Sequence, residues 1–236
     1  MDHSRIIVPL DYSEPKLALK LVEKLQPALC RLKVGKELFT KAGPVMVEKL
    51  IGKGFDVFLD LKYHDIPTTV AKACAVAADL GVWMVNVHAS GGSEMMSLAR
   101  EEIEKKSHHP LLIGVTILTS MNEEALRELS YQCSVEEQVM RLAQLASDAG
   151  LDGVVCSAQE VKMLRDNLGK EFKLVTPGIR PAGSDNNDQE RVMTPGQAIN
   201  AGSDYLVIGR PITQAVDPVQ VLKNIEEEIC AASMAV

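Results

Sequence analysis

The 236-residue sequence is short of the features that would tie it to a membrane, a secreted scaffold or nucleic acid. Its five cysteines, Cys30, Cys74, Cys133, Cys156 and Cys230, are odd in number, widely spaced and free of any C-x-x-C pair, so neither a disulfide framework nor a zinc site is expected. They read as small core residues, and a reducing cytoplasm is the expected location. No apolar run approaches the roughly 18 residues of a membrane span. The opening MDHSRIIVPLDYS holds only a short apolar stretch ending at an acid, so no secretory signal is expected. His108 and His109 lack metal-ligand spacing, and no metal site is expected. A formal charge of −7 argues against nucleic acid as a partner, and an anionic ligand has to be held by local cations and backbone amides. No candidate strand opens into G-x-G-x-x-G, which weighs against a dinucleotide. No linker or low-complexity block interrupts the chain, and residues 1–236 are read as one domain.

What is present is an ordinary globular composition, 46% hydrophobic and 24% charged, arranged in a regular alternation. Apolar or β-branched runs at 6–10, 32–34, 56–61, 84–88, 111–118, 153–156, 173–175 and 205–208 make eight candidate strands. Helices are expected between them, starting at Ser13 before Pro15, at the capping boxes Ser134 to Glu137 and Ser157 to Glu160, and at Thr194 before Pro195. The segments ADLGVWMVNV, SDAGLDGVVC and NAGSDYLVIG each close a helix at a glycine (Gly81, Gly150, Gly202) and enter a strand soon after. Eight such units in this length favour an α/β chain closed as a (β/α)8 TIM barrel. Periodicity alone does not separate that barrel from an open sheet.

In a barrel the working groups belong at the carboxyl ends of the strands. Those ends carry Asp11, Lys33, Asp60 with Lys62, His88, Thr119 with Ser120, Ser157, Arg180, and Gly209 with Arg210. The densest stretch is DLKYHDIPTT at 60–69. Alternation along a strand puts Asp60 and Lys62 on one face. Pro67 stops the strand near Lys62, biases Ile66 to extended geometry and opens a helix, which leaves Asp65 on the turn. Lys33 has two readings: inward and paired with Asp60, or outward and snorkelling to solvent. Asp11 alone reads as a turn or cap residue, His88 as a hydrogen-bonded structural histidine, and His64 as facing solvent or a neighbouring chain. A second cluster, IGRPITQAVDP, combines a small residue at Gly209, a fixed cation at Arg210 and a short helix start suited to phosphate. The polar loop GIRPAGSDNNDQE, from Arg180 towards Gln189, has the composition of a lid that orders on ligand binding.

Asp11, Lys33, DLKYHDIPTT, LTS at 118–120, TPGIR at 176–180, Gln189 and IGRP at 208–211 together resemble the orotidine 5'-phosphate decarboxylase family, in its bacterial, single-function form, from end to end. That resemblance implies conversion of orotidine 5'-phosphate to UMP without a cofactor. It implies a charge network of Lys33, Asp60, Lys62 and Asp65, the last from the second subunit of a homodimer with shared sites. It implies ribose contacts from Asp11, Lys33 and the partner's Thr69, with Ile66 also at the substrate. Thr119 and Ser120 would border the pyrimidine, and Arg180, Gln189, Gly209 and Arg210 would gather the phosphate. Two alternatives are a magnesium-dependent sugar-acid phosphate decarboxylase on a related barrel and a non-catalytic nucleotide-binding barrel. Lys33 weighs against the first, because a cation repels a metal where another carboxylate would be wanted. Retention of the whole charged network weighs against the second.

Overall fold

Alternating β-branched runs and glycine-ended helices give the expected architecture in a computed structural model that describes residues 4–181 and 193–233. The strands are β1 (Ile6–Pro9), β2 (Arg31–Gly35), β3 (Val57–Tyr63), β4 (Met84–His88), β5 (Leu111–Val115), β6 (Gly153–Val155), β7 (Lys173–Thr176) and β8 (Tyr205–Val207). They close in chain order, each parallel to the next, with Ile7 of β1 opposite Val207 of β8. Among the described residues no helix is long and apolar enough to cross a membrane.

The punctuation is local chemistry. Gly81, Gly150 and Gly202 have φ of 78°, 78° and 113°, a left-handed turn that a side chain would oppose, and each hands its helix to the next strand. Ser134 and Glu137 form the expected reciprocal cap, and Thr194 forms another with Gln197. Two expected starts differ. Helix Pro15–Val22 opens at the expected proline, but Glu14 rather than Ser13 holds its cap position and makes no side-chain bond there. Glu160 does accept from the Ser157 N–H at 2.8 Å, but this closes a turn that precedes helix Val161–Leu168. The run 111–118 leaves the sheet after Val115, where pairing to β4 and β6 ends, and Ile117, Leu118 and Thr119 beyond it line a cavity with Lys33 and Asp60.

The barrel interior is filled by Ile7, Phe58, Met84, Ile113 and Val175, all essentially inaccessible to solvent. Burying each such side chain contributes roughly 1.5–3 kcal/mol. At the amino end Arg31 forms a floor. Its guanidinium carbon lies 4.3 Å from the Trp83 ring centroid and 5.2 Å from that of Tyr205, whose rings meet edge to face. Arg31 also pairs with Asp56 at 3.2 Å and donates to the Ser4 carbonyl, so the cation is buried with its donors engaged. With the floor packed, the polar groups at the opposite end are left to face an open mouth.

Candidate active site

Parallel register brings the carboxyl ends of β1, β2 and β3 together and lines up alternating charges. Lys33 Nζ stands 3.2 Å from Asp11 Oδ1 and 3.2 Å from Asp60 Oδ2, while Lys62 Nζ donates to Asp60 Oδ1 at 2.6 Å. The row therefore runs Asp11, Lys33, Asp60, Lys62. Lys33 is 9% exposed and turned inward, the first of its two possible orientations. Burial alone would lower its pKa, but Asp60 and then Asp11 outweigh that and raise it. Burial likewise pushes Asp60 up, whereas Lys33, Lys62 and the Asn86 amide hold it below the usual carboxylate range. Lys33 and Asp60 are both charged at neutral pH.

Lys62 is placed by an irregularity rather than by simple alternation. β3 pairs with β4 through Phe58 and Leu59, then shifts register so that Tyr63 meets Val87. At that shift Lys62 takes φ of 51°. A left-handed conformation disfavours a residue with a side chain by roughly 1–2 kcal/mol, so neighbours have to hold it. The Lys62 N–H donates to Asn86 Oδ1 at 2.8 Å, and Asn86 Nδ2 donates to Asp60 Oδ1 at 2.7 Å. Asn86 was not among the candidates; the signal was an asparagine inside the apolar strand MVNVH, a buried polar group that needs partners. Gly35 was also missed. A Cβ there would lie 3.2 Å from Lys33 Nζ and 3.4 Å from Asp11 Oδ1, so the small residue leaves room for the ion pair.

Two cavities open on this row. One, of about 190 Å³, is bounded by Lys33, Asp60, Lys62 and Thr119 on one side and apolar residues such as Phe58 and Val155 on the other. The second, of about 420 Å³, is bounded by Asp11, Gly209, Arg210 and Thr213. The Asp11 to Lys33 pair joins them, Lys33 facing the first and Asp11 the second. A short helix, Arg210–Thr213, opens here as expected, and a Cβ on Gly209 would press on Pro9 at 3.3 Å. Asp11 is thus part of the row and not merely a turn residue.

Other candidates sit apart. Ser120 is exposed next to Thr119, and Arg180 is 7% exposed with Nη1 donating to the Ile179 carbonyl at 3.3 Å. Asp65, Ile66 and Thr69 are exposed around the start of helix Pro67–Asp79, and none faces either cavity of its own chain. Asp65 Oδ1 accepts from the Ile66 N–H at 2.6 Å, and among the described residues it makes no ion pair. His88 has the exposed His64 as a ring neighbour at 5.5 Å but no hydrogen-bond partner among the described residues, unlike the bonded histidine expected. Burial, followed by His64, Lys36 and Lys62, lowers its pKa and keeps it neutral at pH 7. Gln189 and the expected lid beyond Pro181 lie outside the described residues.

A closed (β/α)8 barrel with a row of alternating acids and lysines at its mouth, buried at Lys33 and Asp60, defines the class as a barrel enzyme. The chain belongs to the orotidine 5'-phosphate decarboxylase / HUMPS family, whose model matches residues 4–225. It is 59% identical over 230 residues to an orotidine 5'-phosphate decarboxylase of Saccharophagus degradans, covering 98% of this chain and 97% of that one. It is 61% identical over 226 residues to one of Psychromonas ingrahamii, with 95% and 97% covered. The crystal structure of orotidine 5'-phosphate decarboxylase from Lactobacillus acidophilus superposes with a TM-score of 0.87 at 40% identity, over 97% of this chain and 99% of that one.

Proposed function

We propose that this chain, as a single-domain barrel, decarboxylates orotidine 5'-phosphate to UMP in pyrimidine biosynthesis. The carrying observation is the Lys62 ammonium, held 2.6 Å from Asp60 at the edge of a cavity whose opposite wall is apolar. Such a cavity suits a pyrimidine, while the joined polar cavity at Arg210 suits the phosphate, with the ribose spanning Asp11 and Lys33.

In the reaction, the bond from C6 to the carboxylate carbon breaks and CO₂ leaves, with the electron pair staying on C6. Lys62 stabilises this carbanion electrostatically, then transfers a proton to C6 and is reprotonated from solvent. A substrate carboxylate seated at about 4 Å from Asp60 would be repelled by on the order of 4 kcal/mol at an effective dielectric of 20, but stabilisation of the carbanion is the larger requirement. Phosphate contacts far from C6 add binding energy that holds the base in place. Lys33 sits between Asp11 and Asp60, where its ammonium takes the place a divalent ion would need, which favours the metal-free reading over a magnesium-dependent one.

A second copy of the chain would complete the site. Asp65, Ile66 and Thr69 are exposed beside the mouth, Ile66 at 67%, and a two-fold axis there would present them to a partner's Lys62 and ribose pocket. The cytoplasm is the proposed setting. Chelator-treated protein should form UMP from orotidine 5'-phosphate, and Lys62→Ala should lower kcat far more than it weakens UMP binding. Activity that required added magnesium, or a Lys62→Ala protein with near-normal kcat, would overturn the reading.

A further inference from the structure

The left-handed turn at Lys62 and the ionised Asp60 share one neighbour. Asn86 projects from the middle of β4, fully buried, and its amide is used at both ends: Oδ1 accepts from the Lys62 backbone N–H at 2.8 Å, and Nδ2 donates to Asp60 Oδ1 at 2.7 Å. The chemistry fixes which way the amide points, because only the NH₂ can serve a carboxylate and only the oxygen can serve an N–H. The same Asp60 Oδ1 takes the Lys62 ammonium at 2.6 Å. Backbone, carboxylate and ammonium therefore form a closed loop through one side chain. A residue needed only to fill the barrel would be apolar here, as Met84, two residues earlier on the same face of β4, is.

We propose that Asn86 is a positioning residue for proton delivery: it locks the Lys62 backbone in its left-handed turn and Asp60 in its ionised orientation, and so aims the ammonium into the cavity. The inference rests on the proposed decarboxylation for its catalytic meaning. Asp60 faces Lys33 from β2, Lys62 from its own strand and Asn86 from β4, with Asp11 beyond Lys33 and His88 further along β4. Loss of the amide donor removes one of the groups that favour ionised Asp60. Loss of the acceptor frees the Lys62 N–H to leave its turn.

Asn86→Leu keeps the number and branching of the side-chain heavy atoms, though not their volume, and deletes both bonds. It should lower kcat roughly 100-fold, the effect of a misplacement of about 1 Å, while UMP affinity changes by less than about threefold because uniform binding is untouched. Two further measurements do not depend on turnover. Hydrogen exchange at the Lys62 amide should become faster in the variant, and the Asp60 carboxyl, followed by carbon-13 NMR, should titrate at higher pH. A purely packing role would shift the melting temperature and leave kcat, the amide and the Asp60 titration as in the unsubstituted protein; that result overturns the proposal. If the unsubstituted protein makes no UMP, the reaction reading fails, and the exchange and titration data still decide whether Asn86 is the clamp. Should Asn86→Leu not fold, Asn86→Ser, which is smaller and polar, carries the same comparisons.

Discussion

Asp60 carries three hydrogen-bonded or ionic partners on two oxygens, and its ionisation is tied to stability as well as to chemistry. Its folded pKa lies below the ordinary 3.8, so the stability it confers is fully present above that pH and is lost as pH falls through the folded value. Lys33 runs the other way: its folded pKa is raised, so its contribution is present below 10.5 and is lost as pH rises through the folded value. At neutral pH Asp60→Asn should destabilise the protein by about 3 kcal/mol, since it leaves buried Lys33 with Asp11 alone. Urea denaturation at a series of pH values should show this difference shrinking below pH 3.8, and a difference that stayed constant into acid would mean that Asp60 is not ionised in the folded state. Residue-level legibility was uneven. The stretch 60–69 announced itself by placing charge at a strand end, whereas the direction of Lys33 depended on a partner two dozen residues away. Asn86 was hidden because one asparagine in a valine-rich strand has no meaning until the strand beside it is known.

Strand β3 shows how a local fault serves the site. Regular pleating would put Lys62 about 6.6 Å along the strand from Asp60 and pointing the same way; here a register shift and a left-handed turn intervene, and the ammonium reaches the carboxylate. Sequence periodicity located this strand and its neighbours because alternation and glycine stops are short-range signals, but no short-range signal marks a bulge stabilised from β4. Helix ends were readable where the cap is self-contained. Ser134 and Glu137 satisfy each other, and Ser134→Ala should destabilise the protein by about 1 kcal/mol while leaving kcat unchanged, as thermal melts and an assay on the same sample would show. A fall in kcat at temperatures where the variant is fully folded would mean that helix Val135–Asp148 communicates with the mouth. The Ser157 to Glu160 pair failed as a helix start because the exchange is incomplete: Glu160 accepts from the Ser157 N–H, but the Ser157 hydroxyl accepts from the Gln159 N–H, and the Glu160 N–H closes a turn on the Ser157 carbonyl.

For the whole molecule, the eight repeats were visible in sequence, while closure depended on the pairing of β1 with β8, the contact between the two ends of the chain. The shared-site proposal belongs at this scale too. If Lys62→Ala and Asp65→Ala chains are unfolded together and refolded in equal amounts, a hybrid dimer holds one doubly damaged site and one intact site. Random pairing then leaves about a quarter of all sites intact under two-fold symmetry, and recovered activity near that fraction is the expected outcome. A mixture as inactive as its parents, despite demonstrated subunit exchange, would place Asp65 in its own chain's site. The floor of the barrel bears on traffic through such a site. With Arg31 wedged beside Trp83 and Tyr205 beneath a layer of Ile7, Phe58 and Met84, the described residues close the amino end of the tube like a cul-de-sac. In the proposed reaction gas and nucleotide then share the doorway through which the substrate came, and the gas has either to slip past the nucleotide or to follow it out.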